Sequence, residues 1–82
     1  MTEITSAGWD GLYQLRYQDG TAVEVNDVID DDDENEDRWY IVTGGKAPHK
    51  PSSSGFVWVK TRDGGKRELY AHALGMMWVR LP

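Results

Sequence analysis

The chain has 82 residues and no cysteine, so we expect one small domain with no disulfide or thiolate metal site, suited to a reducing compartment. Its formal net charge of −5 is unevenly divided: residues 1–37 hold 12 of the 14 acidic side chains, and residues 38–82 hold 8 of the 9 basic ones. Nine aromatic residues favour a folded domain over a disordered chain, because each large ring can bury about 150–250 Å².

Strand signals dominate the first half of the chain. Apolar Tyr13, Leu15 and Tyr17 alternate with polar residues, which is the pattern of a half-buried strand. The Asp-Gly pair at residues 19–20 is a strong signal for a tight hairpin. The β-branched run at residues 22–25 then predicts the returning strand.

The second half continues in the same way. Residues 39–43 predict a strand, and residues 44–54 predict a long loop rich in glycine, proline and serine. In the next strand, residues 56–60, we expect Val57 and Val59 to face inward, and we expect Phe56 and Trp58 to face the other way.

The end of the chain adds one more hairpin. The Asp-Gly-Gly sequence at residues 63–65 predicts a tight turn, and residues 67–70 predict a strand that returns antiparallel. Residues 71–75 predict one helical turn that ends at a glycine. Residues 76–81 then predict the closing strand.

These elements predict an all-β fold. We expect a small SH3-like barrel of five or six short antiparallel strands, with one helical turn before the last strand. The barrel would occupy residues 11–82, preceded by an N-terminal tail over residues 1–10, and it would carry an acidic loop at residues 30–37. An OB-type barrel is the alternative, although it usually has longer strands and a larger helix.

The segment over residues 19–59 resembles a group of small, mostly uncharacterised bacteriophage proteins, especially those of phages that infect actinobacteria. Its most specific part is the Pro-Ser-Ser-x-Gly-x-Val-x-Val pattern that begins at Pro51. The resemblance implies a phage origin and a small β fold, and it supplies no activity. The acidic run at residues 30–37 is longer than the short hairpin or loop usual at that place. The matching positions are Asp19, Gly20, Val23, Val25, Asp27, Trp39, Val42, Gly44, Pro48, Pro51, Ser52, Ser53, Gly55, Val57 and Val59.

Seven of the eight residues in the acidic run are carboxylates, so we expect an extended, solvated loop. Our first hypothesis is that this loop docks on a basic surface of a host or phage protein, including by imitating the phosphates of nucleic acid. The alternative is a loop that only keeps the domain soluble. An EF-hand register fails, because its glycine and final glutamate positions hold Glu36 and Val42. The predicted partner-binding residues are Asp30, Asp31, Asp32, Asp33, Glu34, Glu36 and Asp37, with Trp39 and Trp58 as aromatic anchors.

Basic and aromatic residues are interleaved in the second half. This pattern is typical of nucleic-acid binders, which combine cations for phosphates with rings for bases. The second hypothesis is therefore a nucleic-acid-binding barrel, and the alternative is that these cations only balance the acidic half. The residues of this hypothesis are Lys46, Lys50, Lys60, Arg62, Lys66 and Arg67.

Catalysis has little support in the sequence. His49 and His72 are 23 positions apart, and no nucleophile, base and acid can be assigned together. We therefore predict a protein that is not an enzyme, with no cofactor and no metal. No signal peptide or membrane-spanning run is visible, so a cytoplasmic protein is expected, as a monomer or small oligomer. A third hypothesis is a structural accessory of the virion, which oligomerisation in solution would indicate.

Overall fold

A computed structural model describes residues 2–33 and 36–82 of the chain. The fold is all-β, as predicted, with seven strands in the described residues where five or six were expected. A 3₁₀ turn at Ala71–Leu74 precedes the last strand. The strands are β1 (Thr5–Ala7), β2 (Leu12–Tyr17), β3 (Val28–Asp33), β4 (Glu36–Lys46), β5 (Phe56–Thr61), β6 (Lys66–Tyr70) and β7 (Met76–Arg80).

The strands form two antiparallel sheets. One sheet has three strands in the order β1-β2-β7, and the other has four strands in the order β3-β4-β5-β6. The four-stranded sheet is a meander in which each strand pairs with its neighbour in the sequence. The predicted turn at residues 63–65 is confirmed as the connection of β5 to β6, and Gly75 closes the helical turn with φ 70°. The closing strand is also confirmed.

Residues 22–27 join the two sheets. Residues 22–25 of this segment were predicted to be a strand, but they make isolated bridges instead, Arg16 with Ala22 and Glu3 with Glu24. On one side, the Val23 amide donates to the carbonyl of Leu15 over 2.9 Å. On the other side, the Asn26 amide donates to the carbonyl of Val42 over 2.8 Å. Because its hydrogen bonds go to both sheets, the segment does not form a continuous ladder with either.

The core lies between the two sheets. Leu15 of β2, Val42 of β4 and Val57 and Val59 of β5 are fully buried, together with Val23 of the joining segment. The predicted alternation in β5 is confirmed, because both valines face this core and both aromatic residues of the strand face away from it. One cluster of small and medium apolar side chains therefore holds both sheets together.

Residues 2–10 are not a tail, contrary to our prediction of a tail over residues 1–10. β1 pairs with β2 in antiparallel register, and Ile4 is 5% exposed and belongs to the core. The Trp9 amide also donates to the carbonyl of Pro48 over 3.0 Å. The prediction was wrong because three polar-looking residues become a strand only through pairing with β2, which no local pattern reveals.

The acidic run is not a loop in its described part, which also corrects the prediction. Residues 30–33 belong to β3 and residues 36–37 to β4, and Glu34 lies outside the described residues. The ladder extends because the apolar pairs Val28 with Ile41 and Ile29 with Tyr40 fix the register, and the backbone pairing then continues to Asp33 and Glu36. Residues 30–37 are called the acidic arm below.

The long loop is shorter than predicted. β4 continues through Gly44 and Gly45 to Lys46, so the connection to β5 spans residues 47–55. Gly45 is required for packing, because a Cβ there would lie 2.7 Å from the ring of Trp78. Gly44 and Gly45, which suggested a loop, are therefore part of a strand. Trp78 packs against this strand where Gly45 has no side chain.

Candidate interaction face

The side of the four-stranded sheet that faces away from the core is called the outer face. It is defined by β5, where Phe56, Trp58 and Lys60 alternate with the buried valines. Register carries this face across the sheet, because residues directly opposite in neighbouring strands lie on the same side. Opposite pairs on the outer face are Phe56 with Tyr70 and Lys46, Trp58 with Glu68 and Gly44, Lys60 with Lys66 and Ile41, and Trp39 with Asp30.

Trp58 is the central exposed ring of this face, with 42% of its surface accessible. Its indole nitrogen donates to Oε2 of Glu68 over 3.0 Å. On the other side its ring lies over Gly44, where an added Cβ would be 3.2 Å from the nearest ring carbon. The ring is therefore held in one orientation with a face open to solvent.

A β-bulge next to Trp58 sets which residues of β4 face outward. The register shifts between Val42, which pairs with Val59, and Gly44, which pairs with Trp58. Thr43 is the additional residue, and its hydroxyl donates to the carbonyl of Trp58 over 3.1 Å. Such bulges re-aim side chains within a strand, so Gly44 comes to lie under the indole.

Four cations surround the hairpin between β5 and β6. The guanidinium carbon of Arg62 is 5.3 Å from the ring centroid of Trp39, which is cation–π distance. Lys60 is paired directly with Lys66, so two like charges stand opposite each other on exposed positions. Arg67 follows Lys66 in the edge strand β6, and its register partner is Val59, so it starts from the other side of the sheet at an exposed position.

Two cavities share Lys66 and Arg67 in their linings. The first has a volume of about 390 Å³ and is lined by these two residues together with Trp39 and Arg62. The second has a volume of about 490 Å³ and is lined by the same two residues together with Trp58. Each cavity therefore combines cations with one tryptophan.

The turn between β5 and β6 has a fixed conformation. Asp63 accepts hydrogen bonds from the Thr61 hydroxyl and from the Gly65 amide, the latter over 3.2 Å. These bonds, the hydroxyl first, lower the pKa of Asp63 below its usual value. Asp63 is thus held ionised within the turn, where the charge of Arg67 also lowers its pKa.

A row of three stacked rings lies at the opposite end of β5 and β6. The centroids of Phe56 and Tyr70 are 5.0 Å apart, and those of Tyr70 and His72 are 5.6 Å apart. The imidazole Nδ1 of His72 is 3.1 Å from the hydroxyl of Ser54. The sequence analysis missed this row, although counting back from the turn at residues 63–65 pairs Phe56 with Tyr70.

The predicted partner-binding residues are only partly brought together. Asp30, Trp39 and Trp58 share the outer face, with Asp30 exposed. The backbone register pairs Asp31 with Arg38, Asp32 with Asp37, and Asp33 with Glu36. The arm is therefore continuous with the sheet that carries both tryptophans, rather than a separate appendage.

The predicted nucleic-acid-binding residues separate into two groups. Lys60, Arg62, Lys66 and Arg67 surround the hairpin and the two cavities. Lys46 and Lys50 lie apart from them. Lys46 is opposite Phe56 on the outer face, and Lys50 lines a third cavity of about 440 Å³ beside Tyr70.

Other polar contacts of the described residues hold the fold together. Tyr17 donates its hydroxyl to Oδ2 of Asp27 over 2.9 Å, and burial followed by this bond raises the pKa of Tyr17 to about 12. Asp10 accepts from the Tyr13 hydroxyl and forms an ion pair with Arg80 at 3.2 Å. These groups lie away from the hairpin cavities, and we assign them to stability.

Comparisons with protein-family models, with curated proteins and with solved structures found no match. Within residues 2–33 and 36–82 there is no helix of the length and apolarity that crossing a bilayer requires. In the same part of the chain, no three histidine or carboxylate side chains are grouped as a metal site would need.

Proposed function

We propose that this protein is a non-enzymatic interaction module whose acidic arm docks on a basic surface of another protein. The observation that carries the proposal is the pairing of Asp30 with Trp39 on the outer face. A carboxylate and an indole side by side offer one charged and one apolar contact. Tryptophan is also enriched among the residues that dominate binding energy at interfaces.

The pairing within the arm supports a binding role. Asp32 is paired with Asp37, and Asp33 with Glu36. Like charges directly opposite in an antiparallel pair are destabilising, by about 0.2–1 kcal/mol each. A basic partner would relieve this repulsion, so part of the binding free energy would come from strain already present in the free protein.

The resemblance to bacteriophage proteins gives this proposal a setting. The partner would be a host or phage protein in the cytoplasm of the infected cell, and its basic surface would be one that otherwise contacts nucleic acid. Inhibition of a nucleic-acid enzyme or of a defence complex would follow from occupying that surface. We further propose that the two sheets and residues 22–27 form a small SH3-like barrel that presents the arm.

The proposal is tested with a variant in which all seven carboxylates of the acidic arm are replaced by Asn or Gln. Wild-type and variant proteins are immobilised, bound proteins from a bacterial lysate are quantified, and the affinity of each captured candidate is then measured with purified components. A partner held by the arm should bind the variant at least tenfold more weakly than the wild-type protein. Its affinity for the wild-type protein should fall with added salt, because exposed charges are screened.

A matched pair of single substitutions controls for net charge. Asp30→Asn and Glu68→Gln each remove one negative charge from the outer face, but only Asp30 belongs to the arm. Asp30→Asn should weaken partner binding, and Glu68→Gln should leave it unchanged. Equal affinity of the wild-type and seven-position variant proteins for every partner would refute the proposal.

A further inference from the structure

We infer that the protein also binds single-stranded nucleic acid, at the two cavities that share Lys66 and Arg67. The site is called the basic strip, and it consists of Trp39, Trp58, Lys60, Arg62, Lys66 and Arg67. This inference goes beyond the proposed docking of the acidic arm, because it assigns a different ligand to a neighbouring site that shares only Trp39 with the proposed docking surface.

The arrangement of the cavities carries the inference. A cavity of about 390 Å³ beside Trp39 and one of about 490 Å³ beside Trp58 share Lys66 and Arg67 among their lining residues. Single-strand binders stack successive bases on aromatic rings while cations follow the backbone between them. One ring in each cavity, with two cations common to both linings, supplies the two kinds of contact that such a strand needs.

The ring of Trp58 is positioned for stacking. Its nitrogen is held at the edge by Glu68 over 3.0 Å, and Gly44 lies beneath it without a side chain. The ring is 42% exposed, so one of its faces remains accessible to a ligand. Stacking on a ring already fixed in place costs little conformational entropy. In the neighbouring cavity, the guanidinium of Arg62 lies over Trp39, and arginine planes also stack on bases.

The charge balance of the strip favours an anion. Four cations face three carboxylates, Asp30, Asp63 and Glu68, and the last two accept hydrogen bonds from the protein. The Lys60–Lys66 pair places like charges opposite each other, which disfavours the empty sheet. A phosphate between them would remove this repulsion.

The site favours single strands over duplexes. Stacking needs bases that are not already paired and stacked with each other, and the rings lie on the sheet rather than on a helix or ribbon that enters a groove. The acidic arm continues the same sheet beyond Trp39. A long rigid duplex across the strip would approach the arm, whereas a flexible strand can turn away.

The test measures the fluorescence anisotropy of a labelled oligothymidine of about eight nucleotides, a length within the range of known single-strand sites. With about three phosphate contacts, the affinity should fall roughly 20-fold between 50 and 200 mM salt. Trp58→Leu should weaken binding by about 5- to 150-fold. Trp58→Phe, which keeps a ring, should retain most of the affinity.

Further variants separate the two activities. Lys60→Gln with Lys66→Gln should reduce the salt dependence of oligothymidine binding, while capture of an arm-dependent protein partner should be unchanged. The arm-neutralised variant should bind oligothymidine more tightly than wild type, because repulsion from the arm is removed, although it loses the protein partner. Circular dichroism and thermal unfolding of each variant confirm that the fold is retained.

Several results would overturn the inference. One is the absence of an anisotropy change at the lowest salt concentration. Another is equal affinity for oligothymidine and for an abasic strand of the same length, which would indicate a charge effect without stacking. Loss of a protein partner from the strip variants, with no effect on oligothymidine, would assign the strip to protein binding instead.

Discussion

Neutralising one strand of the acidic arm should stabilise the free protein. The double variant Glu36→Gln with Asp37→Asn removes one charge from each of the two like-charged pairs, Asp33 with Glu36 and Asp32 with Asp37. Each pair is expected to cost about 0.2–1 kcal/mol, so the variant should gain about 0.4–2 kcal/mol in its free energy of unfolding. At physiological salt the lower half of this range is expected, because charges on the surface are screened over about 8 Å.

The assay is thermal unfolding followed by circular dichroism. For a domain of this size, about 1 kcal/mol shifts Tm by roughly 4–8 °C, so the double variant should melt at least about 2 °C above wild type at low salt. The difference should shrink as salt is added. Denaturant unfolding at 25 °C gives the free energy independently, and an unchanged m value would show that the same surface is exposed.

Asp30→Asn is the matched control. Asp30 belongs to the same strand as Asp32 and Asp33, but its register partner is Trp39 rather than a carboxylate. Removing its charge relieves only long-range repulsion. The Tm of Asp30→Asn should therefore rise by less than half as much as the Tm of the double variant. If Asp30→Asn raised Tm as much per charge removed, the effect would come from net charge, and the argument from cross-strand pairing would be refuted.

Three further predictions concern the core and its surroundings. Because the pKa of Tyr17 is raised to about 12 by burial and by its bond to Asp27, the folded state favours the neutral phenol. The contribution of this phenol to the free energy of unfolding is fully present below pH 10 and is lost as the pH rises toward 12. In Tyr17→Phe, denaturant curves measured across this range should no longer show that loss. Gly45→Ala would place a Cβ 2.7 Å from the ring of Trp78, and the overpacking should cost about 1–3 kcal/mol in chemical denaturation. Leu15→Ala empties a fully buried position and should cost about 2–5 kcal/mol, so a variant as stable as wild type would contradict the position of the core.

Local signals predicted the second half of the fold well. The turn at residues 63–65 fixes the pairing of β5 with β6, and alternation then places Val57 and Val59 in the core. The glycine at residue 75 ends the 3₁₀ turn in the left-handed region, which glycine adopts without a steric penalty. Turn chemistry and period-two alternation act over a few residues, so they can be read directly from the sequence.

Features that depend on distant pairing were not predicted. β1 exists because Thr5 to Ala7 pair with β2, and a three-residue strand has too little periodicity to detect. Residues 22–25 were expected to form the returning strand of a hairpin, but hydrogen bonds from the segment over residues 22–27 to both sheets override that local preference. In the acidic arm, repulsion predicted a loop, whereas the apolar pairs at the start of β3 set a register that the acidic residues follow.

The candidate site was also predicted only in its local features. Composition identified the cations and tryptophans, and β5 alternation placed Trp58 on an exposed face. The proximity of Arg62 to Trp39 and the pair Lys60 with Lys66 depend on the pairing of β4, β5 and β6. Residue types were therefore predictable, while their spacing across strands required the sheet.

The bulge at Thr43 gives this chain a position where its length can change without disturbing either end of β4. Val42 and Gly44 already face opposite sides of the sheet in register with Val59 and Trp58. Deleting Thr43 would join them as consecutive residues of a regular strand, and every other residue would keep its side. In homologues of this protein, we therefore expect a one-residue gap to be tolerated here, whereas a gap elsewhere in β4 would exchange its inner and outer residues.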